Sequence, residues 1–204
     1  MNPPPMYLAG SFMRRPVTVV VFVVILALAS LPSMVAQGKK PIGQIDQKND
    51  LCSSGGILTY YGVKSWDPIG QSFVPEKPWL HGVDLFLEEP YYGIPSFPDD
   101  YSGTVAHVSI HRATIYGSVV VETTSVVPDH HLSWWHFDFA GRVRLVTGQT
   151  YVIHVYLEAT QPPGRHDLGL AFASTANAYP PGAPVLSGTE NPARDDFCFR
   201  TYFT

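Results

Sequence analysis

The sequence predicts an all-β chain: a two-sheet jelly-roll β-sandwich preceded by an N-terminal signal or anchor helix. Three observations carry that expectation. Short segments alternate apolar and polar residues with period two, and Gly and Pro interrupt them. Beyond residue 37, no stretch of ten or more residues keeps a helical period. Aromatic residues are frequent at 13% while charged ones reach only 15%, a composition typical of exported β domains.

Residues 1–37 form the leader. Arg14 and Arg15 make a positive flank, residues 17–31 are apolar apart from Thr18 and Ser30, and Pro32 ends the run. That is the layout of a secretory signal peptide. The run is shorter than the roughly 20 residues that span a bilayer core, although residues 32–36 extend it to that length. Cleavage after Ala36 puts Met34 where a small residue is preferred, a poor fit; removal is nevertheless expected over retention as an anchor, with both open. The mature part is expected at the cell surface or outside the cell, touching membrane only through this segment if it is uncleaved.

Residues 38–50 are polar and read as a tether, which leaves residues 51–204 for the sandwich. Within it, residues 69–74 form a strand before Pro75, and residues 79–87 alternate with Val83, Leu85 and Leu87 on one face. Residues 105–111 place Ala106, Val108 and Ile110 inward and His107, Ser109 and His111 outward. Further strands follow at 119–123, 133–139, 151–157, 169–173 and 196–203. Eight to ten strands in a domain of this size imply two packed sheets.

Cys52 and Cys198 are the only cysteines. An even pair in an oxidising compartment is expected to bridge, which requires the first and last strands to be neighbours. Beyond the leader, eleven basic residues face all 17 acidic ones, a formal charge of −6 with no basic cluster. That balance argues against nucleic acid as a partner.

Several segments, in order, resemble a known type of module. Residues 66–87 (WDPIGQSFVPEKPWLHGVDLFL), residues 135–139 with 145–151 (LVTGQTY), and the ending DFCFRTY are similar to small exported β-sandwich modules of archaeal and bacterial surface proteins. The resemblance implies a jelly roll like those of carbohydrate-binding modules, and it speaks to fold more than to function.

Three features could carry chemistry. Residues 88–101 (EEPYYGIPSFPDDY) combine Tyr91, Tyr92, Phe97 and Tyr101 with Asp99 and Asp100 on a proline-stiffened path. Aromatic faces stack on sugar C–H faces, and carboxylates accept hydroxyl hydrogen bonds or bind calcium. The competing expectation is a loop whose rings fold back over the sandwich end. The second feature is histidine. Trp134 and His136 alternate outward on one strand, as do His154 and Tyr156 on another, so a shared sheet would make one aromatic platform. His107 and His111, four residues apart on a strand, stand roughly 13 Å apart and cannot hold one ion together. The third is Asp129 beside His130 and His131, a base-and-orienter pair. No G-x-S-x-G, H-E-x-x-H or phosphate-loop motif accompanies it.

The expected function is an exported, non-catalytic binding module of the cell surface, with a glycan as its ligand. Tyr91, Tyr92, Phe97, Asp99, Asp100 and Tyr101 would be the primary site, and Trp134, His136, His154 and Tyr156 a secondary face. A structural or assembly component of the cell envelope is the alternative, and a polysaccharide-acting enzyme comes third. No cofactor is expected, calcium being the one ion the loop would admit.

Overall fold

The computed structural model describes residues 43–53, 59–88, 105–126, 133–158, 167–176 and 178–204. The leader, the aromatic loop from Tyr91 to Tyr101 with its carboxylates, and Asp129, His130 and His131 lie outside these residues. Among the described residues, thirteen strands and one 3-10 turn follow in order. They are β1 (Gln44–Asn49), the turn Leu51–Ser53, β2 (Thr59–Gly62), β3 (Ile69–Phe73) and β4 (Trp79–Glu88). Next come β5 (Val105–Arg112), β6 (Val119–Val126), β7 (Ser133–Arg144), β8 (Tyr151–Leu157) and β9 (Gly169–Ala176). The chain ends with β10 (Pro184–Leu186), β11 (Thr189–Glu190), β12 (Asp195–Phe197) and β13 (Phe199–Phe203).

The strands pair antiparallel in two sheets. The first runs β1-β13-β4-β9-β12, with β7 also paired to β4 and β2 to β9; the second runs β11-β10-β3-β8-β5-β6. Their facing sides share one core of Phe73, Leu80, Val83, Leu85, Val108, Ile110, Phe137, Phe139, Ile153, Phe197, Phe199 and Phe203. The inward positions expected on β4, β5 and β7 are therefore the core positions. Each such side chain, fully removed from water, contributes roughly 1.5–3 kcal/mol before conformational entropy opposes it.

Residues 44–49, read from sequence as part of the tether, are instead strand β1. It pairs Gln44 with Phe203 and Asn49 with Phe199. The pattern was hidden because its buried positions, Gln47 and Asn49, are polar. Hydrogen bonds make that burial tolerable. The Gln47 amide donates to Thr201 Oγ1 (3.0 Å), and Tyr179 Oη donates to Gln47 Oε1 (2.8 Å). Asn49 Nδ2 donates to the carbonyls of Asp196 and Phe197 at 3.0 and 3.1 Å. Gln71 completes the belt, donating to Asp196 Oδ1 (2.9 Å) and accepting from the Phe197 amide (2.9 Å).

The single terminal strand expected over 196–203 is split at Cys198. There the backbone accepts from Phe86 and donates to the Ala171 carbonyl (3.2 and 2.9 Å), so it leaves β9 and joins β4. Cys198 is disulfide-bonded to Cys52, their Cα atoms 6.0 Å apart, and β1 lies against β13 as such a bridge requires. Strands β10 and β11, also unforeseen, form a hairpin through Ser187 and Gly188. Both have positive φ (48° and 76°), the geometry of a two-residue turn that follows strand twist.

Strand ends of both sheets meet at one end of this architecture. Leu87 pairs with Ser133, Glu88 with Gly169, Val105 with Val126, and Ala106 with Leu157. Trp135 Nε1 donates to Ser125 Oγ (3.0 Å), which ties the β6 end of one sheet to the β7 start of the other. The strand ends bordering residues 89–104, 127–132 and 159–166 are thus gathered together.

Candidate functional site

The four residues of the secondary face do not form one platform. Trp134 and His136 lie on β7 in the first sheet, whereas His154 and Tyr156 lie on β8 in the second. Outer faces of stacked sheets point away from each other. Alternation reveals whether a side chain points in or out, but not which sheet its strand joins. The crossing between β6 and β7 separates the two pairs.

On the first sheet, His136 Nδ1 donates to Asp84 Oδ1 (2.6 Å) and Tyr202 Oη to Asp84 Oδ2 (2.5 Å). Arg200 Nη1 stands 3.8 Å from the same Oδ2, and its guanidinium lies 3.9 Å over the Trp134 ring. The Asp84 side chain is only 6% exposed. Burial, then the Asp84 carboxylate, pushes the Tyr202 phenol up to about 12. The His–Asp pair is arranged like a base and its orienter, but it is covered, and Asp84 is engaged on both oxygens. Its chemistry is that of a clamp joining β4, β7 and β13.

On the second sheet, His107 and Tyr156 are cross-strand partners with rings stacked at 4.5 Å. Glu122 Oε1 accepts from Tyr156 Oη (2.6 Å) and from His107 Nδ1 (3.0 Å). The other ring nitrogen of His107 faces Glu158 Oε1 at 3.4 Å. The Tyr156 and His107 hydrogen bonds hold the Glu122 carboxyl below its ordinary range, so it is ionised at neutral pH. Burial, then Glu122, pushes the Tyr156 phenol up to about 12.

His154 sits beside Tyr156, ring centroids 5.2 Å apart, and edge-on to His111 at 5.2 Å. Its Nε2 is 3.5 Å from Asp67 Oδ1, and its buried Nδ1 has no partner. Burial lowers its pKa, keeping the ring neutral. Ser109 Oγ donates to His111 Nε2 (2.8 Å), while His111 Nδ1 donates to the Gly117 carbonyl (3.1 Å). That order suits a nucleophile, a base and an orienter, yet Ser109 is 1% exposed and closed to a substrate.

Beside His154 and Tyr156 opens a cleft of about 350 Å³, lined also by Val63, Lys64, Asp67 and Leu157. Its far wall is the turn after β2. Asp167 holds that turn by accepting from the amides of Lys64 (2.7 Å) and Ser65 (2.6 Å), and a Cβ at Gly62 would collide with the same carboxylate. Trp66 projects from the turn, partly exposed and edge-on to Tyr61 at 5.1 Å. Sequence reasoning located His154 and Tyr156 but missed Trp66, Asp67, Glu122 and Glu158. The alternation of β6 could have flagged Glu122 as outward-facing, whereas the turn is brought in by tertiary contacts alone.

Among the described residues, no group of three or more His, Cys, Asp or Glu side chains could hold a metal ion. No protein-family model matches the chain, and a search of curated proteins finds no match either.

Proposed function

We propose that this chain is an exported, cell-surface jelly-roll module that binds carbohydrate without transforming it. The cleft beside His154 and Tyr156 carries the reading. It combines aromatic surface, hydrogen-bonding side chains and an opening to solvent, as small-ligand sites do. Trp66, the residue before Asp67 on the turn that forms the far wall, is partly exposed, and Asp67 and Glu122 supply acceptors for sugar hydroxyls. The disulfide and the leader support an oxidising, extracellular setting. Tyr91, Tyr92, Phe97, Asp99, Asp100 and Tyr101 belong to a segment bordered by Glu88 and Val105, at the strand ends that also carry Leu157. They are proposed to extend the same site.

The test is binding of the exported protein to a glycan array, repeated with Tyr156→Ala, Trp66→Ala, Tyr91→Ala and Tyr92→Ala, each checked for folding by circular dichroism. Loss of the same glycans in Tyr156→Ala or Trp66→Ala and in a loop variant supports one continuous site. Undiminished binding in all four removes it.

A further inference from the structure

We infer that the cleft beside Tyr156 selects neutral, polyhydroxylated glycans and rejects uronic-acid or sulfated ones; this deepens, and rests on, the carbohydrate reading. Three carboxylates near the cleft keep unused lone pairs. Glu122 takes both of its hydrogen bonds on Oε1, Glu158 meets His107 through Oε1, and Asp67 meets His154 through Oδ1. Among the described residues, the second oxygen of each carboxylate has no protein partner.

These carboxylates stand half-exposed around the His107–Tyr156–His154 row. Among the described residues, Asp67 and Lys64 line the cleft itself, while Glu122 and Glu158 stand beside it, on Tyr156 and His107. Cleft and row together set three carboxylates against one ammonium among these residues. A hydroxyl-rich ligand satisfies such acceptors through charge-assisted O–H···O bonds, whereas an anionic sugar brings further acceptors and like charge.

The experiment compares neutral and anionic glycans on one array, using the full exported chain with and without EDTA. The best neutral hit is then titrated calorimetrically against its counterpart oxidised to a carboxylate at C6. The neutral form should bind about tenfold tighter or more, independently of EDTA. Glu122→Gln and Asp67→Asn should each weaken it about three- to tenfold and narrow the gap. Equal or tighter binding of the carboxylate form, or EDTA-sensitive binding, overturns the inference and leaves the carbohydrate reading standing. So does neutral binding that neither variant changes, because the ligand then sits elsewhere. Binding to no glycan at all sinks both.

Discussion

The two outer faces of the sandwich are built from the same parts and come out differently. Each has a carboxylate that accepts from a tyrosine hydroxyl and a histidine: Asp84 with Tyr202 and His136 on the first sheet, Glu122 with Tyr156 and His107 on the second. The Asp84 side chain is 6% exposed and occupied on both oxygens, while that of Glu122 is 40% exposed and occupied on one. Beside Asp84 the disulfide, Phe86 and Trp134 form a small apolar cluster; beside Tyr156 there is a cleft. Residue identity alone does not make a site. Hydrogen-bonding capacity left over at an accessible place does.

Substitution can break that comparison. On the first face, replacing Cys52 and Cys198 together by Ser should cost about 3–5 kcal/mol, because 146 residues of chain regain freedom in the unfolded state. Asp84→Ala should cost a similar ~3–5 kcal/mol, since it strips a buried carboxylate from His136, Tyr202 and Arg200 at once. Glu122→Ala on the second face should cost about 0–1 kcal/mol, as exposed pairs do. Urea unfolding of the three variants measures all of this. Equal losses at Asp84 and Glu122 would mean both faces are structural clamps.

A smaller perturbation sharpens the contrast on the first face. A Cβ at Gly82 would stand 2.7 Å from the Phe137 carbonyl oxygen and 2.8 Å from His136 Cε1. Gly82→Ala must therefore displace the imidazole or the strand, and should cost roughly 1–3 kcal/mol by overpacking. The His136 ring resonances should shift in the NMR spectrum while those of His107 and His154 stay in place. Movement of all three would show that the faces are mechanically coupled.

How much of this was legible from sequence depends on what each residue has to do. Strands β4, β5, β7 and β8 alternate because one side of each is buried in apolar core, and hydropathy registers that. Strand β1 escaped because Gln47 and Asn49 are buried by hydrogen bonding rather than by apolarity. Cys52 and Cys198 were readable as a bridge, since an even pair behind a signal-peptide-like segment is expected to pair. His154 and Tyr156 were readable as outward-facing, and so were Trp134 and His136. That the two pairs belong to opposite faces was not readable, because sheet membership is decided where the chain crosses from β6 to β7. The Lys64–Asp67 wall was invisible for a related reason: Asp167, about a hundred residues away, holds it.

The smallest expected effect separates the faces by pH. Glu122 has its carboxyl pKa lowered in the folded state from 4.5, so its contribution is full above 4.5 and disappears as pH falls through the folded value. His154 is a base whose pKa burial lowers from 6.5. The unfolded chain binds more protons between the folded value and 6.5, so stability is lost as pH falls below 6.5 and stays level above it. Asp196, raised above 3.8 by its own burial in the polar belt, runs the opposite way. Its contribution is present below 3.8 and is lost as pH rises through the folded value. Between pH 7.5 and 5 the wild-type unfolding free energy should therefore decline, and His154→Gln should flatten that decline, while Glu122→Gln changes the slope of the curve only below 4.5 and merely offsets it above. Urea titrations at four pH values suffice. A decline that His154→Gln leaves unchanged would place the titrating groups elsewhere, and the second face would then answer to protons no more than the first.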